Sequence, residues 1–189
     1  YGYSRHSFPF SLPIIKNRIF FKKPKIGDVV VFKTPADNRT DYIKRLIGRP
    51  GDQIQFIDSN LYINNNEILK SKISEKDIIY CGNKSFDVLT FKEKLPNGKL
   101  YNSVYHKDFT FKNSDVFIVP EDHYFFLGDN RDCSKDSRFL GSVGYVHKDN
   151  LVGKARFIFF SSDRSIGSIF EFWKWHKSIR FDRFFKSII

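Results

Sequence analysis

The chain has 189 residues, of which 41% are hydrophobic and 28% are charged, and its formal net charge is +11. This composition excludes a disordered chain and is enough for one sizeable core, or for a core with a smaller inserted domain. The positive charge fits an anionic membrane surface, an acidic protein or the residue usage of an AT-rich genome, whereas the lack of recognition-helix, RNA-binding and zinc-finger patterns leads us to expect no nucleic acid.

Neither a membrane span nor a metal site is predicted from the sequence. No apolar run approaches the length of a transmembrane helix, about 20 residues, and no signal peptide is present. Cys81 and Cys133 are far apart without Cys-x-x-Cys spacing, and the five histidines show no triad or metal spacing. We therefore expect no metal and no cofactor. The spacing leaves open whether the cysteines form a disulfide, and our prediction is two free thiols.

Strand patterns follow an irregular lead-in. Residues 1–26 are aromatic, basic and interrupted by three prolines, which predicts irregular or extended chain. Apolar β-branched and alternating runs then predict strands, separated by turn sequences such as Pro50-Gly51-Asp52. In chain order, the predicted strands are residues 29–32, 41–48, 53–57, 60–63, 116–119, 124–127, 144–146 and 151–160. Between them, residues 60–116 show short strands and turns without a helical period.

These patterns predict a mostly β protein with antiparallel strands. We expect a discontinuous β core from residues 1–59 and 117–165, a β-rich insertion at 60–116 and a C-terminal tail at 166–189. The tail interleaves aromatic and basic residues, which predicts a basic aromatic helix at a membrane interface. The alternative is that its aromatics pack on the β core while its cations face water.

The run at residues 128–138 is the most informative part of the chain. Its eleven positions hold six charged side chains and two serines, and it directly follows an apolar strand pattern. Opposite charges at Asp129 and Arg131, and at Asp136 and Arg138, can neutralise each other when they are partly buried. A solvated, Asx-rich turn is the alternative, but the order of the residues favours a functional site.

Lys44 is the second candidate, because it lies inside an apolar strand pattern. Side chains of a strand alternate between its two faces, so Lys44 and Arg45 project to opposite sides and one of the two cations risks burial. A desolvated lysine loses affinity for its proton and can act as a general base near neutral pH. The alternative is an edge residue whose ammonium group reaches solvent.

Three blocks of sequence, taken together, resemble those of bacterial type I signal peptidases. In that family's order, the blocks are residues 27–32, residues 41–52, and residues 128–138 with Gly141 and Gly144. Residues 150–155 resemble the strand that follows. The resemblance covers most of the family's catalytic domain and is vague across 60–116. It implies an antiparallel coiled β-sheet core of the type shared by signal peptidases and SOS-repressor proteases.

The resemblance implies a serine endopeptidase that removes signal peptides from exported preproteins after small residues, as in Ala-x-Ala. In that family a neutral lysine takes the proton of a serine nucleophile, without a histidine. Lys44 matches the general base, and Ser134 matches the hydroxyl that orients this lysine. The implied location is the bacterial inner membrane with the catalytic domain on the periplasmic face. The implied partners are preprotein signal peptides and membrane lipids.

The same resemblance implies supporting and substrate-binding roles for further residues. The polar network beneath the site would comprise Asp129, Arg131, Asp136 and Arg138, with Arg45 as the partner of Asp136. The substrate-binding strand would include Tyr42 and Ile43, and the pocket walls would include Val31 and Asp41. Cys133 stands where the family more often has Asn, and we do not interpret it as a nucleophile.

The sequence departs from the family at its beginning. The family's nucleophile lies in a Ser-Met-x-Pro-like block upstream of the strand at 29–32, and neither Ser7-Phe8-Pro9 nor Ser11-Leu12-Pro13 fits that block. We therefore expect the chain to start downstream of its nucleophile and to be inactive as it stands. The alternatives are a self-cleaving protease of the SOS-repressor type and a catalytically incomplete homologue that acts as a basic binding module.

Overall fold

The computed structural model describes residues 1–3, 15, 18–82, 84–108, 111–162 and 171–188. The chain separates into two compact units, Tyr1–Lys154 and Ala155–Ile189. Ser7 and Ser11, the serines that precede a proline near the beginning of the sequence, lie outside the described residues. The three-part division expected from the sequence stays a prediction.

Antiparallel strands dominate the regular secondary structure in the described part of the first unit. Many of them alternate buried and exposed side chains, as a strand does when one face packs on a core and the other meets water. The strands are β1 (Val29–Lys33), β2 (Asp41–Gly48), β3 (Gln53–Ile57), β4 (Asn60–Ile63), β5 (Asn66–Glu67), β6 (Lys70–Cys81), β7 (Lys84–Lys94), β8 (Leu100–His106), β9 (Phe117–Ile118), β10 (His123–Leu127), β11 (Val146–His147) and β12 (Leu151–Lys154).

The strands form three antiparallel sheets. Their orders are β11-β10-β2-β1-β12, β5-β4-β3-β9 and β6-β7-β8. In the five-stranded sheet, β2 lies at the centre and pairs with β1 on one side and β10 on the other. The strand that carries Lys44 is therefore a direct neighbour of the strand that leads into residues 128–138.

The central strands separate two apolar cores. Ile47 packs in one core together with Phe125 and Leu127, and Leu46 packs in the other together with Phe126. Successive residues of β2 and β10 thus point to opposite faces, as strand geometry requires. Because complete burial of such a side chain contributes about 1.5–3 kcal/mol, both faces of this strand pair are firmly held. This rigid centre supports the candidate residues at its end.

The predicted fold class is confirmed, but two predicted segments are wrong in length. The insertion contains the long strands β6 and β7, of 12 and 11 residues, whereas the sequence predicted only short strands there. The pairing of β6 with β7 is irregular at Lys72–Ser74 and at Ser74–Asp77. These irregularities interrupt the alternation of side chains by which a long strand is recognised in a sequence. The strand predicted at 151–160 ends at Lys154.

The described part of the second unit contains short helical turns, whereas one of the two interpretations of the tail was a basic aromatic helix. The described turns are a 3₁₀ turn at Phe172–Lys174, α1 (Trp175–Ser178) and a 3₁₀ turn at Phe181–Arg183. A bridge between Ser162 and Ile179 keeps the chain extended after α1. Contact of this segment with lipid stays a prediction. Within the described ranges, no helix combines the length and the apolar character needed to cross a membrane.

Candidate active site

Lys44 and Ser134 are in contact although they are 90 residues apart in the sequence. Lys44 lies on β2, and its Nζ donates a hydrogen bond of 2.9 Å to Ser134 Oγ. Ser134 belongs to the loop that follows β10, so the pairing of β10 with β2 brings the two side chains together. Ser134 is only 7% exposed, and Lys44 Nζ lies 5.6 Å from the centroid of the Tyr42 ring. The expected neighbours therefore meet, and their roles in catalysis stay predictions.

Burial lowers the pKa of Lys44 below its usual value of 10.5. The carboxylate of Asp136 opposes this shift, Arg138 adds to it, and the carboxylate of Asp129 opposes it again. The net direction is downward, so a larger fraction of Lys44 is neutral at a given pH than for a lysine in water. A neutral amine can accept a proton from a hydroxyl group, which is the property that a lysine general base requires.

Gly128 provides the space in which Ser134 approaches Lys44. A Cβ atom at position 128 would lie 2.0 Å from Ser134 Oγ and 3.5 Å from Lys44 Nζ, and the first of these distances is far below van der Waals contact. The backbone N–H of Gly128 donates to Asp136 Oδ2 at 3.0 Å, which fixes the start of the loop. A side chain at this position would displace the hydroxyl from the lysine.

A cavity of about 290 Å³ lies beside Lys44 and Ser134. Its lining residues are Val29, Ile43, Lys44, Arg45, Gly128, Asp129, Asn130, Cys133 and Ser134. Of the predicted substrate-binding residues, only Ile43 is among them, and its side chain is 52% exposed. Val31 pairs with Ile43 across β1 and β2, whereas Asp41, at the start of β2, forms a salt bridge of 2.8 Å with Lys33. Val31, Asp41 and Tyr42 lie outside this lining.

Two larger cavities lie elsewhere in the first unit. One, of about 640 Å³, is lined by residues that include Arg49 and Asn97. The other, of about 650 Å³, is lined by residues that include Phe111 and Tyr145. Neither lining includes Lys44, so of these three cavities the smallest is the one beside the candidate base. In the part of the chain that the structure describes, no group of three or more His, Cys, Asp and Glu side chains could hold a metal ion.

Arg45 is buried on the face of β2 opposite to Lys44. Its guanidinium forms two hydrogen bonds of 2.8 Å with the two carboxylate oxygens of Asp129, and it lies 4.4 Å from the centroid of the Tyr101 ring. The predicted pairing of Arg45 with Asp136 is therefore wrong. The alternation of side chains along β2 turns Arg45 away from Lys44 and towards Asp129 and Tyr101.

The second half of the charged run contains an ion pair that agrees with the sequence prediction. Arg138 Nε donates to Asp136 Oδ1 at 2.8 Å, and Arg138 Nη2 donates to Asp136 Oδ2 at 2.9 Å. Both side chains are buried, and a forked pairing of this kind satisfies both carboxylate oxygens. Arg138 also donates to the backbone carbonyl of Arg131. The pair thus connects the end of the loop to its middle.

Arg131 does not pair with Asp129, contrary to the sequence prediction. It is 1% exposed and donates to Glu93 Oε2 and to Tyr101 Oη, each at 2.6 Å. Burial opposes ionisation of Glu93, but Arg131 and the hydroxyls of Tyr101 and Ser103 outweigh it, so the pKa of Glu93 is lowered. Strands β7 and β8 bring this carboxylate and these hydroxyls to the loop, and no local sequence pattern predicts that contact.

Sequence reasoning missed Glu93, although the residues around it contain a signal. Phe91, Glu93 and Leu95 occupy alternate positions, and all three are buried. A carboxylate whose neighbours on the same face are apolar requires a charged or hydrogen-bonding partner. This pattern predicts a buried polar cluster, but it does not identify Arg131 as the partner.

Cys81 and Cys133 form a disulfide, so the prediction of two free thiols is wrong. Their Cα atoms are 5.9 Å apart, across 52 residues of sequence. Cys81 ends β6, where the hairpin turns into β7, and Cys133 directly precedes Ser134. The pairing depends on where the tip of this hairpin lies in space, which the spacing of two cysteines cannot reveal.

The chain is similar in sequence to signal peptidases. The family model described as "Signal peptidase, peptidase S26" matches residues 4–160. The signal peptidases I of Rickettsia typhi and Rickettsia prowazekii are each 43% identical to the chain over 206 aligned residues, covering 100% of this chain and 75% of the relative. A solved structure of a signal peptidase I from Enterococcus faecalis V583 is 26% identical with a TM-score of 0.41, covering 70% of this chain and 97% of that one.

Proposed function

The chain belongs to the signal peptidase family, peptidase S26, and from this premise we propose that it is a membrane-associated serine endopeptidase. Its substrates are N-terminal signal peptides of exported preproteins, cleaved after small residues as in Ala-x-Ala. The observation that carries the proposal is the 2.9 Å hydrogen bond from Lys44 Nζ to Ser134 Oγ in a half-buried site that lowers the pKa of the lysine.

Lys44 acts as the general base in the proposed mechanism. Its neutral amine takes the proton of the nucleophilic serine hydroxyl as that oxygen attacks the scissile carbonyl, and the resulting ammonium then protonates the leaving amine. Ser134 holds the amine in place by accepting a hydrogen bond from Nζ. Because Ser134 is almost fully buried, a substrate carbonyl has little access to its hydroxyl. We therefore do not propose Ser134 as the nucleophile.

The walls of the small cavity support a preference for small side chains. Val29 and Ile43 supply apolar surface next to Lys44, and the volume is about 290 Å³. Ile43 is half exposed on β2, so an extended substrate can reach it. We propose that Tyr42 and Ile43 belong to the substrate-binding strand, and that Val31 and Asp41 contribute more distant parts of the pocket walls.

The proposed location is the bacterial cytoplasmic membrane, with the catalytic unit on its periplasmic face. The Cys81–Cys133 disulfide supports an oxidising compartment. The net charge of +11 supports attraction to anionic lipid headgroups. Exposed aromatic side chains near the C-terminus, among them Trp173 and Phe185, fit the interfacial region of a bilayer.

Cleavage of a purified preprotein tests the proposed function. The protein expressed from its complete gene is incubated in detergent with a preprotein that carries an Ala-x-Ala sequence, and the new N-terminus is read by mass spectrometry. We expect one cut after the second alanine. Replacement of that alanine by leucine should lower the rate about tenfold or more, because a narrow pocket rejects the larger side chain. Equal cleavage of both preproteins would contradict the proposed specificity.

Gly128→Ala tests the close packing between the loop and the lysine. The added methyl group must displace Ser134, so we expect kcat/KM to fall about tenfold or more, because the hydrogen bond that orients the lysine base is lost. Gly141→Ala is the matched control, because a Cβ at that position has no atom within 4 Å, and it should keep the wild-type rate. Similar rates in both variants would show that the approach of Ser134 to Lys44 is unimportant for cleavage.

A further inference from the structure

The loop that carries Ser134 is attached to the insertion sheet at several points. The backbone N–H of Val104, on β8, donates to Asp129 O, and Arg131 donates its backbone N–H to Val104 O, each at 2.8 Å. Further along, the backbone N–H of His106 donates to Asp132 Oδ2 at 2.8 Å. These contacts hold the first half of the loop and end just before Ser134.

The disulfide is the attachment closest to Ser134. Cys133 is its direct neighbour in sequence, and the bond joins it to Cys81 at the tip of the hairpin formed by β6 and β7. Apart from the disulfide, the backbone N–H of Cys133 donates a hydrogen bond to Asn130 Oδ1, which at 3.3 Å is long. On the other side, Ser137 donates its backbone N–H to Phe126 O. The disulfide therefore adds a covalent attachment directly beside Ser134, in a loop that is also held by hydrogen bonds, such as those of Ser134 to Lys44 and of Asp136 to Gly128.

We propose that the Cys81–Cys133 disulfide is a redox-modification site, at which a dithiol reductant releases Ser134 from its fixed position against Lys44 and so lowers the activity. This inference rests on the proposed function for its effect on cleavage. The chemistry of the disulfide and the movement of the loop are independent of the proposed function.

The chemistry is thiol–disulfide exchange with a protein or small-molecule dithiol. A thiolate of the reductant attacks the sulfur of Cys133, which belongs to an exposed residue; the bond to Cys81 breaks, and Cys81 leaves as a thiolate that takes up a proton. His106 Nε2 lies 3.9 Å from Cys81 Sγ and can donate to this leaving sulfur. The second thiol of the reductant then attacks the mixed disulfide and frees Cys133. The reductant becomes a disulfide, and the protein receives two electrons and two protons.

Release of the loop acts on Lys44 through Ser134. When Cys133 is free, the hydroxyl of Ser134 can leave Lys44 Nζ, and water can enter the cavity that both residues line. Better hydration moves the pKa of Lys44 back towards its usual value, because burial is the main cause of its lowering. The carboxylates of Asp136 and Asp129 then favour the charged ammonium further. A smaller fraction of Lys44 is then neutral at a given pH, so fewer enzyme molecules contain an active general base.

The test measures the thiol state, the loop and the activity of the same protein. Without reductant, alkylation should label neither cysteine; after treatment with a dithiol it should label both. Reduction should lower kcat/KM about threefold or more and increase amide hydrogen exchange in residues 132–135. Cys81→Ser/Cys133→Ser is the matched control: it should resemble the reduced enzyme and should not respond to the dithiol.

The pH profile separates a positioning effect from a loss of folded protein. Reduction should move the acid limb of kcat/KM to higher pH, whereas partial unfolding would lower the whole profile without moving it. Two reactive thiols before reduction, or an unchanged rate and acid limb after it, would overturn the inference. If neither redox state shows cleavage that depends on Lys44, the proposed function fails instead. Hydrogen exchange then still decides the inference, because unchanged exchange on reduction refutes it and faster exchange supports it.

Discussion

Lys44→Ala is expected to lower kcat/KM for preprotein cleavage by about 10²- to 10⁴-fold, which is the usual contribution of a general base. Alanine removes the amine that takes the proton of the nucleophile and leaves no other group in its place. The measurement is the initial rate on an Ala-x-Ala preprotein, with circular dichroism to show that the variant is folded. Lys44→Arg should lower kcat/KM to the same extent, because a guanidinium stays protonated at all accessible pH values.

Two control variants make this result specific. Lys135→Ala removes an exposed lysine from the same loop and should leave the rate unchanged. Ser134→Ala removes the hydroxyl that orients Lys44 but keeps the base, so the loss should be smaller, about 10- to 100-fold. Retention of the wild-type rate by Lys44→Ala would falsify the assignment of the base. A loss in Ser134→Ala as large as that in Lys44→Ala would instead indicate that Ser134 is the nucleophile.

The pH dependence follows from the same lysine. A general base works only when it is deprotonated, so kcat/KM should rise with pH through the pKa of Lys44 and level off above it. Because burial lowers that pKa below 10.5, this limb should lie at lower pH than for an exposed lysine. The residual activity of Lys44→Ala should lack the limb altogether.

Much of the site could be predicted because its residues lie in short, continuous blocks of sequence. The apolar pattern around Lys44 places it on a strand, and the charged run contains Ser134 at a fixed distance after the strand that becomes β10. The pairing of β10 with β2 then brings the two residues together. Local patterns therefore place each residue on its strand or loop, whereas their contact was expected only from the resemblance to signal peptidases, because the pairing of the two strands is not a local property.

The partners of the arginines could not be predicted, because they depend on contacts between distant segments. Arg131 meets Glu93 only because the insertion sheet lies against the loop, through the bridge of Val104 to Asn130. The disulfide depends on the same placement of the hairpin. A pairing rule based on sequence proximity selects Asp129 for Arg131, whereas the fold gives Asp129 to Arg45. Proximity in sequence succeeded only for Asp136 and Arg138, which belong to one tight loop.

The insertion therefore stabilises the loop that carries Ser134. Its sheet contributes Glu93, Tyr101 and Tyr105 to the burial of Arg131, and this arginine in turn anchors the middle of the loop. Because a charge in the interior is tolerated only when it is paired and hydrogen-bonded, the sheet and the loop stabilise each other.

Glu93→Ala is expected to lower the free energy of unfolding of the first unit by about 3–5 kcal/mol, because it leaves the guanidinium of Arg131 buried without its counter-charge. Both side chains of this pair are 1% exposed, so water cannot replace the lost carboxylate. Urea denaturation, followed by far-ultraviolet circular dichroism, measures the change. Asp87→Ala is the matched control, because it removes an exposed carboxylate from the same strand, and it should change the stability by less than about 0.5 kcal/mol.

The pH dependence of this difference identifies the ion pair as its cause. The pKa of Glu93 is lowered in the folded protein from its usual value of 4.5, so its contribution is fully present above that value and is lost as the pH falls through the folded pKa. The stability gap between wild type and Glu93→Ala should therefore be widest at neutral pH and should narrow in acid. Replacement of both partners, as Glu93→Leu/Arg131→Met, should cost less than Glu93→Ala alone, since no buried charge is left unpaired. A gap that does not change with pH would mean that lost packing, and not the charge of Glu93, stabilises the insertion against the loop.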